Sequence, residues 1–310
     1  MEAPRSTKGA PRIELEEILQ GLRRELLARE ESPTGEWVEE TARELAFGTK
    51  AGWYLPEGEG LAFFARRAHE AYGHVHVGPG ASRTQAASLL AVALLDALPR
   101  EADSANLGFT GLTPPEEQEC ATRLAVRPGS TVIARLLVER TLTVEDGGTA
   151  PPVPPTLRAV PVREVTLDAL ADLDHRSFAG TVDAYLVGAG PEGTRLAITS
   201  MLEGRLGRFV DEASVALFEP DPPRLAAAIL TTEQSIRRAI FVDLMVDPAR
   251  RRHGLGRYLL SWSFRALWAL GYTSVRLWVT EGNTAARRLY DGAGFRTVGA
   301  ATIYRWDRPA

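Results

Sequence analysis

The residues best suited to chemistry cluster near the carboxyl terminus. Arg251-Arg252-His253-Gly254-Leu255-Gly256 follows a strand-like run ending at Val246 and a turn at Asp247-Pro248, and it opens an apolar helical pattern. Strand, loop and helix start in that order leave successive main-chain N–H groups unpaired at the positive end of the helix macrodipole, an arrangement that suits a diphosphate. Gly254 and Gly256 let the backbone approach phosphates without a Cβ in the way, and Arg251, Arg252 and Arg257 add charge-assisted donors beside His253 and Leu255. A tight strand-to-helix turn uses the same glycines, and a loop histidine is commonly just solvated. Leu259 stands three places beyond Gly256, and no Gly-Lys-Ser/Thr follows, which disfavours dinucleotide-binding turns and phosphate loops. Asp243 stands on the strand before the turn, where its plain reading is a strand acid paired with Arg237 or Arg238. Asn283 and Tyr290 stand seven residues apart, two helical turns, and so share a face.

Arg251, Gly254 and Gly256 fill a pattern that resembles the first signature of the GNAT superfamily, Arg/Gln-x-x-Gly-x-Gly/Ala, and Val246-Asp247-Pro248 is typical before it. Asn283-Thr284-Ala285-Ala286-Arg287-Arg288-Leu289-Tyr290 with Gly294-Phe295 resembles the second, Asn-x-x-Ala-x-x-x-Tyr then Gly-Phe. The resemblance covers Leu157 to Trp306 and implies an acetyl-CoA-dependent N-acetyltransferase. Acetyl-CoA would lie between a fourth strand ending at Val246 and a fifth at Ser274 to Thr280, with its diphosphate on the loop. A main-chain N–H near Met245 would face the thioester carbonyl. Tyr290 takes the family position of the general acid, against a plain reading as a packed aromatic anchor. Asn283 caps its helix and touches the cofactor arm. Ribosomal-protein N-terminal acetyltransferases usually have a carboxylate where this chain has Trp278, whereas Asp243 stands where several small-amine enzymes carry an acid; Asp243 is the expected base. Thr181, Asp183 and Glu281 are expected on the acceptor side. The amine would attack directly, with no covalent enzyme intermediate. A non-catalytic acyl-CoA sensor is the competing class.

Elements must hold these residues. Leu157 to Glu164 reads as a strand and Leu167 to Phe178 as a helix with Asp172 and Asp174 on its wetter side. Ala213 to Phe218 and Leu225 to Thr232 read as a hairpin turning at Pro220, Pro222 and Pro223; Ala239 to Val246 is a strand, Arg257 to Leu270 a helix, Ser274 to Thr280 a strand, Thr284 to Gly292 a helix, and Arg296 to Trp306 the last strand. In the first half, helices are expected at Ile13 to Arg29 and, opened by Ser32-Pro33, through Ala46. Strands Gly60 to Ala68, Tyr72 to Gly78, Ala105 to Phe109 and Ser130 to Thr143 alternate with helices Gln85 to Leu98 and Pro114 to Val126, weakly repeating the second half. Ala81-Ser82-Arg83-Thr84-Gln85-Ala86 lacks the glycine pattern, so the first domain reads as degenerate, in a tandem arrangement resembling that of the mycothiol synthases.

The expected fold is α/β (α+β): two tandem GNAT-like domains, each a mixed, mainly antiparallel twisted sheet flanked by helices. The expected division is a disordered leader at 1–12, a degenerate domain at 13–145, a linker at 146–155 rich in glycine and proline, and a catalytic domain at 156–310. With 36 basic against 40 acidic residues and a net charge of -4, no global basic field favours nucleic acid or anionic membrane. The single cysteine, Cys120, rules out an intramolecular disulfide framework and reads as a buried thiol in a cytoplasmic protein. His74 and His76 share a strand face without a third metal ligand, so no metal is expected, and a homodimer stays open.

Overall fold

Leu15, Ile18, Leu19 and Leu22 recur every three or four residues and are all buried, so one stripe of the first helix is a core face. A computed structural model of the chain describes residues 3–28, 35–47, 50–56, 59–67, 70–79, 82–98, 102–149, 152–187, 190–220 and 223–309. The chain divides into two units, Met1–Arg135 with Ala300–Ala310, and Leu136–Gly299.

The first unit contains β1 (Arg5–Ser6), α1 (Arg12–Ala28), α2 (Gly35–Phe47), β2 (Gly52–Leu55), β3 (Gly60–Arg67), β4 (Glu70–Val77), α3 (Arg83–Asp96), β5 (Ser104–Thr110), α4 (Pro114–Leu124) and the start of β6 (Ser130–Thr141). Neighbouring strands β2, β3 and β4 are antiparallel, while β4 and β5 are parallel. Helix α3 covers the connection between that parallel pair, as such a pairing requires. Cys120 of α4 is buried in the core that α3 and α4 share with these strands.

The second unit continues from β6 through β7 (Arg158–Pro161), α5 (Leu167–Phe178), α6 (Gly190–Leu202), β8 (Val215–Pro220), β9 (Pro223–Ser235), β10 (Arg238–Val246), α7 (Leu255–Ala269), β11 (Ser274–Thr280), α8 (Thr284–Gly292) and into β12 (Arg296–Asp307). Its strands run β7-β8-β9-β10-β11, antiparallel except for the parallel pair β10 and β11. Two cores flank them. Leu255, Tyr258, Leu259, Phe264 and Leu267 of α7 pack on one face, and Leu170 and Leu173 of α5 with Ile198 of α6 on the other.

Several boundaries differ from the sequence reading. The leader contains β1, whose Arg5 and Ser6 pair with Tyr54 and Trp53, and Thr7 is buried with its hydroxyl donating to the Gly52 carbonyl. Two residues of pairing are too few to leave a periodic pattern, and the four of β2, one of them a glycine, leave only a weak one. The glycine- and proline-rich segment lies inside the second unit: residues Val144–Gly147 form a 3-10 turn capped by Asp146, and Gly147 approaches Trp268 so closely that a Cβ would stand 2.5 Å from its ring. The chain instead passes between the units within β6 and returns within β12. Strand β7 ends at Pro161 and continues as a 3-10 turn, Val162–Glu164. Ser32, Pro33, Gly80 and Pro222 lie outside the described residues. Among the described residues no helix is long and apolar enough to cross a membrane.

Candidate functional site

Strand β10 alternates half-buried and buried side chains along its length, yet it does not keep one face throughout. A bulge between Phe241 and Asp243 inserts an extra residue against β9. Phe241 and Leu244, three residues apart, consequently both border the α7 core, while Val242 and Met245 border the α5 core. The bulge also coincides with a parting of strands. The β10–β11 ladder holds only from Arg238↔Ser274 to Ile240↔Arg276, although both strands run on to Val246 and Thr280. Beyond Ile240 they splay, leaving main-chain groups at the opening between them.

The loop after β10 faces that opening. Asp247 is buried, caps the following turn by accepting from the Ala249 amide at 2.9 Å, and pairs with Arg176 of α5 and, at 2.7 Å, Arg224 of β9. Arg252 has φ +65° and Gly254 φ +81°, so two left-handed residues bracket His253 and turn successive amides to one side, the geometry of an anion-binding nest. Among the described residues, the main-chain amides of Arg252 through Arg257 have no main-chain acceptor; the first amide of α7 that does is Tyr258, bonded to the Gly254 carbonyl at 2.9 Å. Arg252, His253, Gly254 and Arg257 are exposed and Leu255 is buried.

Two expected roles change on inspection. A Cβ on Gly256 would stand 2.9 Å from Leu289 Cδ2, so this glycine lets α8 approach α7, whereas the ideal Cβ of Gly254 meets nothing within 4 Å and only its φ calls for glycine. Arg251 sends its guanidinium to the Ser177 carbonyl at the end of α5, tying the loop to the opposite layer. His253 Nδ1–H donates to the Arg251 carbonyl at 2.9 Å.

Helix α8 begins as read. Asn283 Oδ1 accepts from the Ala286 amide at 2.9 Å, and its Nδ2 donates to Asp183 Oδ2 at 2.5 Å, joining the α8 start to the Thr181–Asp183 loop. Asp183 is 4% exposed and its other carboxylate oxygen has no partner. Thr181 Oγ1 donates to the Phe178 carbonyl and accepts from the Asp183 amide. Tyr290 is 9% exposed with its ring edge on Phe295, 5.7 Å between centroids. Glu281 is exposed at the end of β11, and Trp278 is half-buried on that strand. Among the described residues no group of three or more His, Cys, Asp or Glu is placed to hold a metal ion; His76 Nδ1 instead lies 3.1 Å from Thr110 Oγ1.

Asp243 pairs with neither arginine proposed for it. Arg237 donates to the Gly271 carbonyl, and Arg238 to Ser274 and Glu139. Its partner is Asp174 of α5, to which it is hydrogen-bonded. Asp174 is 6% exposed rather than on the wet side of α5, and Asp243 9%. Burial, and for Asp243 also the adjacent Asp174 carboxyl, push both acids upward, Asp174 to about 6 and Asp243 well above the usual carboxylate range. Asp174 was legible in principle, because Leu170, Leu173, Asp174 and Ser177 form an i, i+3, i+4, i+7 stripe and all four are buried.

The geometry invites comparison with known proteins. Residues 196–295 match the model of the acetyltransferase (GNAT) family. Over 65 residues the chain is 43% identical to a mycothiol acetyltransferase from Frankia casuarinae, a match that covers 21% of this chain and 19% of that protein's length. A GCN5-related N-acetyltransferase from Sphaerobacter thermophilus superposes with a TM-score of 0.62 at 18% identity, covering 98% of this chain and 96% of the other. A tandem GNAT protein from the clavulanic acid biosynthesis pathway gives 0.60 at 15% identity, covering 99% and 98%. At such identities it is the fold that is shared, and it is shared along the whole chain. The stretch that matches the acetyltransferase (GNAT) family model lies entirely within the second unit.

Proposed function

We propose that the chain is an acetyl-CoA-dependent N-acetyltransferase that moves an acetyl group directly to a primary amine of a small molecule or peptide. The observation that carries this reading is the early end of the β10–β11 ladder beside six amides that, among the described residues, have no main-chain acceptor, an opening and an anion cradle in one place. The likeness of part of the chain to mycothiol acetyltransferases supports acetyl transfer.

In this reading the amides of Arg252 through Arg257 hold the diphosphate, with the Arg252 and Arg257 side chains free to add charge. Val246 borders the arm of the donor, and Asn283 orders the α8 start beside it. The N–H at Met245 faces the thioester carbonyl and stabilises the oxyanion as charge develops there. Asp243 receives the proton of the incoming ammonium; the amine nitrogen then forms its bond to the carbonyl carbon, the carbon–sulfur bond breaks, and Tyr290 protonates the leaving thiolate. Thr181, Asp183 and Glu281 border the acceptor.

The test is thiol release from acetyl-CoA against a panel of primary amines, for wild type and Tyr290→Phe. Release in wild type, falling about a hundredfold or more in kcat for Tyr290→Phe with acetyl-CoA affinity little changed, is the expected result. Equal turnover would remove the acid role from Tyr290. Acetyl-CoA binding with no release from any amine would favour the sensor instead.

A further inference from the structure

Two buried carboxyl groups meet between α5 and β10, in the part of β10 that has already left the β11 ladder, and among the described residues no cation is paired with them. Nearby cations are engaged elsewhere: Arg176 with Asp172 and Asp247, Arg251 with the Ser177 carbonyl, Arg224 of β9 with Asp247, Arg195 of α6 with Asp168, and Arg276 of β11 with Glu139. Glu233 of β9 is held by Arg208 and Tyr272. Among the described residues, the charged group that acts on the Asp243 carboxyl is Asp174. One turn beyond Asp174 on the same buried stripe, Ser177 is 4% exposed and its hydroxyl has no partner. Negative charge and an orphan hydroxyl buried together without a donor are costly. A ligand that brought positive charge and several N–H donors would satisfy both, and an ammonium offers three donors and no acceptor.

We propose that Asp174, Asp243 and Ser177 form the pocket for the acceptor's ammonium group, in which Asp174 shares the proton of Asp243 so that the pair meets the acceptor with a single negative charge. This rests on the N-acetyltransferase reading for its place in the reaction. The raised affinity of both acids for protons agrees with one proton and one charge on the pair near neutral pH. The ammonium gives one proton to the ionised carboxylate and becomes the free amine, whose lone pair attacks; the second N–H proton is lost as the thiolate is protonated, and the pair returns its proton to solvent. The pocket selects acceptors that are cations in solution over neutral molecules of the same size.

The experiment is calorimetric titration of the CoA-saturated protein with n-butylammonium chloride and, separately, with 1-butanol, in wild type, Asp174→Asn and Ser177→Ala. Butylammonium is expected to bind wild type and butanol not. Asp174→Asn should weaken butylammonium about tenfold, because a neutral carboxamide replaces one of the two carboxyl acceptors while the negative charge stays on Asp243, and Ser177→Ala by a smaller factor, while CoA affinity stays within about twofold in both. Binding of butylammonium to Asp174→Asn with wild-type affinity, or no preference over butanol, overturns the proposal; should Asp174→Asn not fold, an unchanged Ser177→Ala does so. In turnover, the acidic limb of the kcat/KM profile should move to lower pH in Asp174→Asn, because Asp243 loses its like-charged neighbour. Butylammonium binding without thiol release from any amine would sink the transferase reading and leave the pocket standing.

Discussion

The acid pair sets the pH behaviour of individual residues. A carboxyl whose pKa is higher in the folded than in the unfolded chain stabilises the fold below the unfolded value, about 4, and that contribution fades as pH climbs through the folded value. For Asp174 the loss spans about pH 4 to about 6, and for Asp243 it extends higher. Asp243→Asn removes the titration that reaches highest and leaves that of Asp174, which burial raises. Its melting temperature should therefore fall less than that of wild type between about pH 5 and pH 8, read by scanning calorimetry across that range. Parallel curves for the two proteins would mean that the pair does not titrate as described. Asp243 was legible as a candidate from its place on the strand before the turn, but its partner was not. A charged residue on an amphipathic helix is ordinarily read as solvated, and nothing local announces that a second acid will come to lie against it. The same limit hid the true partner of Arg251, which lies on α5.

Among the elements, three had bounds readable to the residue: α5 at Leu167–Phe178, β11 at Ser274–Thr280 and α8 at Thr284–Gly292. Each has a strong local signal, whether a capping threonine or asparagine or a run of alternating buried positions. The bulge in β10 had none, since an inserted residue leaves the alternation of buried and half-buried positions looking regular while it changes which layer each side chain meets. The glycines of the cradle were legible as glycines but not in their separate duties, because a sequence does not show that Leu289 will press on Gly256. Gly256→Glu tests the cradle. Its Cβ asks only the flexible end of Leu289 to shift, and a carboxylate in the first turn of α7 suits the helix macrodipole, so the fold should hold. Against a bound diphosphate the same carboxylate costs about 3 kcal/mol, taking a separation of ~5 Å and an effective dielectric of ~20, which is a loss of about a hundredfold in acetyl-CoA affinity. Gly256→Ala, which adds the Cβ without the charge, should keep most of the affinity. Equal affinities for the glutamate and alanine variants would move the diphosphate off this loop.

Across the whole molecule the second unit repeats the first: an antiparallel neighbour, a strand, a covering helix and then a parallel strand, β3-β4-α3-β5 in one and β9-β10-α7-β11 in the other. The repeat was legible from element order, and the missing glycines from the sequence, but only the ladders show how the two parallel pairs differ. In the first unit the parallel pair stays zipped from Glu70↔Ser104 to His76↔Thr110, seven partners, with the buried side chains of His76 and Thr110 bonded at the end. Gly111 then comes so near β4 that a Cβ would stand 1.9 Å from the Val77 carbonyl oxygen. No bulge interrupts this register, so no arm of a donor can lie between these strands without breaking ladder hydrogen bonds that in the second unit are never made. Calorimetric titration with acetyl-CoA should accordingly saturate at about one molecule per chain, and Gly256→Glu should weaken all of that binding about a hundredfold rather than half of it. Two equivalents per chain, or a full residual site in Gly256→Glu, would show that β4 and β5 open in solution and that the amino-terminal unit keeps a donor site of its own.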